Sequence, residues 1–257
     1  MRKTEIARMF GLEDTYWWFV ARRLLVRDLL RRYRTAQAAH DREAGDEHTG
    51  RPVILDVGCG TGATLEVLRP SGEVVGIDAS TEALRYSRRR GHRQLVQARG
   101  EELPVASAAV EIVTALDLLE HIPDDGAALR EFARVLRPGG LLILTVPAGP
   151  VLWSEHDEAL DHLRRYRRAK LQHMLQAAGF VTERLSPAIA ALFAPIAALR
   201  LLQRVRSRKK GRPQTAFIIP PRTINWLLIA LLRLENRCLM HFDLPLGVSL
   251  VAVARKP

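Results

Sequence analysis

Cysteine is almost absent: Cys59 and Cys238 are the only two in 257 residues. Two thiols cannot build the disulfide framework of a small secreted domain, so a reducing compartment is expected. Aromatic residues are sparse at 6%. No apolar run reaches the roughly 20 residues of a membrane-spanning helix. The opening MRKTEIARMF lacks the uninterrupted apolar stretch of a signal peptide, so the expected location is cytoplasmic. No internal repeat is visible, and no closely spaced set of His, Cys, Asp and Glu announces a metal centre. Acidic residues are lacking in one region only. Residues 1–150 hold 21 basic against 21 acidic side chains, whereas 151–257 hold 18 against 7, so the whole net charge of +11 lies in the C-terminal part.

What is present is a chain that is 47% apolar, long enough for one large core or a core with a small accessory unit. Its most informative stretch is VILDVGCGTGATLEVL, 53–68. Val53, Ile54, Leu55 and Val57 have the composition of a buried parallel strand that carries Asp56 at its end. Gly58, Gly60 and Gly62 then let the backbone turn sharply and approach a ligand, and a helical run begins near Thr61. Strand, glycine loop and helix start together form a nucleotide-type site. The next strand, EVVGIDAS, ends in Asp78, where a carboxylate accepts hydrogen bonds from ribose hydroxyls or caps the helix beginning near Ser80. Gly58, Gly60 and Ala63 also satisfy the dinucleotide pattern GxGxxG/A, so a nicotinamide dinucleotide competes here.

Two further segments decide between these ligands. EIVTALDLLEHIPDD, 111–125, and LREFARVLRPGGLLILTVP, 129–147, follow the glycine loop in order. With DVGCGTG and the strand-end acid, they closely resemble the class I S-adenosylmethionine-dependent methyltransferases over residues 51–147. The resemblance implies S-adenosyl-L-methionine as cofactor and an α/β fold with a doubly wound, Rossmann-like seven-stranded sheet. It implies that the backbone at Gly58, Cys59 and Gly60 lies against the methionine part, that Gly62 also belongs to the cofactor site, and that Asp56 takes the ammonium directly or through water. Asp78, with Ala79 beside it, would hold the ribose, and Asp117 and Leu118 would line the floor. Where the family commonly has an acid for the adenine amino group, this chain reads ARGEELP with Arg99. Either Glu101 substitutes, or backbone at Arg99 and Gly100 holds the ring. YWWF near the N-terminus and DHLRRYRR before AAGF resemble a bacterial subgroup of the same enzymes, which supplies no substrate.

The periodicity predicts an amphipathic helix over 16–38, a polar linker over 40–52, and strands near 53–57, 73–78, 94–97, 110–116, 141–146, 180–185 and 248–254. A core over 51–185 is then followed by an insertion over 186–246 and a last strand over 247–257. In the resembled family the last two strands form an adjacent antiparallel pair, yet about sixty residues separate them here, far beyond ordinary loops. The insertion holds PAIAALFAPIAALRLL, 187–202, interrupted by Pro195, then the basic run RVRSRKKGR, 204–212, then TINWLLIALLRLENRCLMHF, 223–242. Two readings stand. The helices pack as a lid over the acceptor pocket, or they lie on an anionic membrane surface, with apolar faces in the acyl boundary and Arg/Lys at the headgroups.

For an acceptor hydroxyl, His121 is the first candidate general base, because an imidazole titrates near neutral pH; the alternative is that it only shapes the loop. His156 and His162 are second choices. With Asp157 they also raise a metal site, which the spacing does not favour. Trp17 and Trp18 either cover the ligands or pack, with Arg22 or Arg23 meeting a carboxylate, and Tyr166 is a further acceptor-side candidate. The expected function is methyl transfer to a small or lipid-linked metabolite, on oxygen. The alternatives are RNA methylation, suggested by the basic C-terminal part but lacking a recognisable RNA-binding module, and a non-catalytic S-adenosylmethionine-binding partner subunit. The oligomeric state is not legible.

Overall fold

The computed structural model describes residues 3–43, 50–206 and 218–257. Two helices, α1 (Lys3–Leu12) and α2 (Trp17–Glu43), lead into the core. Strands and helices then alternate: β1 (Val53–Val57), α3 (Ala63–Leu68), β2 (Glu73–Asp78), α4 (Thr81–Arg89), β3 (Leu95–Gln97), β4 (Val110–Leu116), α5 (Asp125–Val135) and β5 (Leu136–Pro147). After these come α6 (Glu155–Ala159), α7 (Arg168–Ala177), β6 (Val181–Ala188), α8 (Phe193–Arg206), α9 (Arg222–Leu239) and β7 (Ser249–Arg255).

The seven strands form one sheet in the order β3-β2-β1-β4-β5-β7-β6, with β7 antiparallel to both neighbours. Strand order reverses between β1 and β4, which opens a crevice beyond their carboxyl ends. Both faces are covered, so β1 and β4 read as near-continuous apolar runs. On one face Phe132 and Leu129 of α5 and Leu171 of α7 pack against Val113 and Leu142. On the other, Leu25, Val26, Leu29 and Leu30 form the inward stripe of α2 and meet Ile54 and Ile143.

Several boundaries differ from the sequence reading. Helix α2 runs through Glu43, so the first part of the expected linker is helical, and α1 was not foreseen. The RPGG segment lies inside β5 rather than before it: pairing jumps from Val110↔Leu136 to Ile112↔Leu141, and Gly139 takes φ +74° within that irregularity. Pro187 and Ala188 continue β6, so the first apolar piece of the insertion is part strand. Pro195 falls in the first turn of α8, where its missing N–H costs no helical bond, and does not interrupt the helix.

The insertion is tied to the N-terminal helices. Asn236 of α9 donates to the Ala21 carbonyl at 3.1 Å, and Asn225 accepts from the Trp17 amide at 3.0 Å. The Glu235 carboxylate accepts from the amides of Ile189 (2.6 Å) and Ala191 (2.7 Å), fixing the turn from β6 into α8. Residues 207–217, which hold most of the basic run, lie outside the described residues.

Candidate active site

After β1 the chain turns at Gly58 (φ +75°) and Gly60 (φ +56°), angles that side-chain-bearing residues rarely adopt. The Gly58 and Cys59 amides donate to the Ile77 carbonyl at 2.7 and 3.0 Å, which fastens the loop to β2. A Cβ on Gly60 would meet nothing, so its backbone faces open space. Gly62 is different. It precedes α3, and a Cβ there would stand 2.4 Å from Ser87 Oγ, so it serves the packing of α3 on α4. Gly62 therefore does not line the cavity, contrary to the sequence expectation.

Asp78 accepts from the Gly60 amide through one oxygen and from the Ser80 amide through the other, both at 2.8 Å. It thereby joins the glycine loop to the start of α4, while Ser80 itself caps that helix by accepting from Ala83 at 3.2 Å. Asp56 is buried. One oxygen accepts from Thr114 Oγ1 at 2.6 Å and the other has no partner, and burial pushes its pKa up to about 7. Cys59 is packed beneath the loop with its thiol pKa raised by burial, the setting of an inert thiol.

Asp117 follows β4 in the left-handed region at φ +51°, a costly conformation for a non-glycine residue. Thr145 Oγ1 donates to it at 2.8 Å, and Arg22 of α2 forms an ion pair with it. Arg22 does meet a carboxylate, but one of the protein's own. Arg23 donates to the Glu13 carbonyl, and the Glu13 carboxylate accepts from Thr61 of the glycine loop. Sequence reasoning missed this clamp of the α1–α2 corner on the loop, since no local pattern links Glu13 to Thr61. Trp17 and Trp18 both line the cavity, and they also pack edge to face at 5.5 Å.

These elements enclose a cavity of about 880 Å³. Asp56, Gly58, Cys59, Gly60, Asp78, Ala79, Gly100, Glu101, Asp117 and Leu118 line it. At the adenine position of the resembled family, the exposed Arg99 pairs with Glu101 at 2.7 Å. Trp18, Glu120, His121, His156, His162 and, from α8, Leu199 and Arg200 line the cavity as well. Tyr166 is not among these residues. It is buried in the core, where its hydroxyl donates to Asp125 at 2.8 Å, so it is no acceptor-side residue.

The histidines depart from expectation too. Burial first, then His162, lowers the pKa of His121 to about 4, and burial followed by Arg200 lowers His156 to about 3. A group that weakly basic is a poor proton acceptor at neutral pH. Asp157 is fully buried, which alone would raise its pKa. The hydrogen bond with His162 at 3.0 Å and the guanidiniums of Arg165 and Arg200 instead hold it well below the usual range. The buried Arg165 also donates to the carbonyls of Ala148 and Val248, each at 2.9 Å, fastening the 155–165 segment to β5 and β7.

A family model described as "Methyltransferase domain" matches residues 55–144, from β1 into β5. Over this span the chain is similar to the class I S-adenosylmethionine-dependent methyltransferases. A Mycobacterium tuberculosis protein named as an S-adenosylmethionine-dependent methyltransferase is 32% identical over 50% of this chain and 48% of its own length. The ubiquinone biosynthesis O-methyltransferase of Aeromonas salmonicida is 30% identical over 52% of this chain and 64% of its own. The chain thus matches about half the length of the first of these relatives. Among solved structures, a Haloferax volcanii methyltransferase chain in complex with the Trm112 methyltransferase activator shares the fold, with a TM-score of 0.60 and 18% identity over 99% of this chain and 95% of that one. The cofactor of the class is S-adenosyl-L-methionine. The cavity fits it: Asp56 offers an unfilled acceptor to an ammonium, and Gly60 leaves the loop backbone open to close approach.

Proposed function

We propose that this chain transfers a methyl group from S-adenosylmethionine to an oxygen of a small or lipid-linked acceptor. The observation that carries this reading is a single cavity lined both by the glycine loop with Asp56 and Asp78 and by aromatic and polar side chains from α2, the turn after β4, the 155–165 segment and α8. When bound, the cofactor supplies a methyl group on a sulfonium for in-line displacement by a nucleophile held in front of it. Asp56 receives the ammonium, the backbone of Gly58, Cys59 and Gly60 lies along the methionine part, and Asp78 with Ala79 holds the ribose. Backbone at Gly100 and the edge of Glu101 border the adenine, above a floor of Asp117 and Leu118. Trp18, His156 and His162 border the acceptor, and α8 with Leu199 and Arg200 excludes water from it. The relative named as an O-methyltransferase supports oxygen as the methylated atom.

One observation also favours a peripheral membrane contact. Ile224, Leu227, Leu231 and Leu234 recur along one side of α9, joined by Trp226, and all five are exposed. Such a stripe, on a helix that also carries Arg222, Arg233 and Arg237, suits an anionic lipid interface. No helix among the described residues is long and apolar enough to cross a membrane.

Titration of the purified chain with S-adenosylmethionine tests the main reading. Asp78→Ala removes both the ribose acceptor and the brace on Gly60. Charged hydrogen bonds of this kind carry about 1.5–3 kcal/mol each, so affinity falls by about 100-fold. Equal affinity in variant and parent removes the reading of the pocket.

A further inference from the structure

We infer that the acceptor side of the cavity holds a divalent transition-metal site built from Glu120, His121 and His162. One ligand atom from each lies within 4.8 Å of the others. The sequence separates these residues by 41 positions, so no spacing could announce them; the fold joins them through the turn after β4 and the segment after α6. The Leu163 amide donates to the Glu120 carbonyl at 2.7 Å and locks the two segments together.

Glu120 carries the argument. Its side chain is fully buried, and neither carboxylate oxygen is hydrogen-bonded to another residue. A carboxylate in that position is ordinarily paired or bound to a metal. The nearest cations are already engaged, Arg22 with Asp117 and Arg165 with Asp157. The two imidazoles stand edge to face, with ring centres 4.8 Å apart and planes at 80°, and each brings a ring nitrogen within 4.8 Å of the Glu120 carboxylate. His162 holds the Asp157 carboxylate at 3.0 Å through Nδ1, which leaves Nε2 as its ligand nitrogen, and His121 is hydrogen-bonded to the Asp161 backbone. An imidazole oriented by a carboxylate or a carbonyl on its far nitrogen is the usual outer-shell arrangement of a metal ligand.

Two nitrogens and one carboxylate suit Zn²⁺, Mn²⁺ or Fe²⁺ and not Mg²⁺, which prefers oxygen ligands. Three protein ligands leave coordination positions facing the cavity. An acceptor hydroxyl taken there becomes more acidic and gives its proton to water, so no histidine has to act as base. This use of the site rests on the methyltransferase reading, whereas cation binding does not.

The test is calorimetric titration of chelator-treated, full-length protein with MnCl₂, ZnCl₂ and MgCl₂, followed on the same samples by S-adenosylmethionine. One equivalent of Mn²⁺ or Zn²⁺ is expected, with Mg²⁺ at least 10-fold weaker. Glu120→Gln keeps the shape of the side chain and weakens the transition metal by at least 10-fold, and His162→Asn does the same independently. Circular dichroism melts identify any variant that fails to fold, leaving the other to decide. No stoichiometric binding by the parent, or equal affinity in a folded variant, overturns the site. Cation binding without cofactor binding keeps the site and removes the methyltransferase reading; cofactor binding without cation binding does the reverse.

Discussion

The two walls of the cavity are built in opposite ways. The residues proposed for the cofactor come from consecutive strand ends: Asp56 near the end of β1, Asp78 closing β2, Gly100 after β3 and Asp117 after β4. Each is placed by the strand that precedes it, so a local pattern of apolar run, turn and acid is enough to locate it. The acceptor wall is assembled from α2, the turn holding Glu120 and His121, the segment carrying His156 and His162, and α8. No two of its parts share an element. A sheet edge thus provides a reusable binding surface, whereas specificity is left to segments whose positions only tertiary packing defines.

Removing the support common to both walls gives the largest effect. Phe132 is fully buried under the sheet, in the cluster that contains Val57 and Ala115. Phe132→Ala leaves a cavity there and costs about 3–5 kcal/mol. In urea the transition midpoint falls accordingly, and cofactor and acceptor affinities fail together because β1 and β4 position Asp56 and Asp117 while the turn after β4 carries Glu120 and His121. A loss confined to one wall would mean that the walls are stabilised separately.

The sequence reading succeeded and failed along the same division. DVGCGTG and the acid of GIDAS were enough to bring Asp56, Gly58, Gly60 and Asp78 to the cavity, since each sits within three residues of a strand end. All seven strands were legible for the same reason. Gly62 was misread because spacing alone cannot say which glycine faces a ligand and which faces Ser87. Tyr166 was misread because its arginine neighbours suggested exposure, while the register of its bridge to Ala148 turns it inward. Local sequence could not foresee the lowered pKa of His121, which comes from burial by segments far along the chain. The meeting of Glu120 with His162 was hidden likewise.

Proton linkage separates the walls more finely. Asp56 titrates near 3.8 when unfolded and about 7 when buried, so between those values the native state holds a proton that the unfolded state has lost. Its contribution makes stability fall as pH rises through that window, by on the order of 4 kcal/mol in total. His121 and His156 act in the other direction. Unfolded, they bind a proton below about 6.5, which the native state refuses until about 4 and about 3, so their contribution makes stability rise with pH. Asp56→Asn removes only the first effect. Thermal melts of the metal-free protein should therefore show the variant gaining on the parent as pH goes from 4 to 7, with the difference vanishing at the acid end. A constant offset between the two would mean that Asp56 is not held in its protonated form.

The smallest effect on stability belongs to the outer side of α9. The inward face of α9 is used completely: Leu232 and Leu239 are buried, and Asn236 bonds to α2. The outward stripe is apolar but contributes nothing to the fold, since Trp226 is 66% and Leu227 58% exposed. Trp226→Ser with Leu227→Ser should leave stability within about 0.5 kcal/mol, a shift in Tm of only 1–2 °C for a chain of this size. Flotation with anionic vesicles is where the change should be visible. If the stripe meets lipid, the parent floats with the vesicles and the double variant stays behind, although the two melt alike. If both float, the contact lies elsewhere on the chain; if neither does, α9 serves the cavity alone. A helix apolar on both sides, with one side dispensable for folding, is then accounted for only by what its outer side touches.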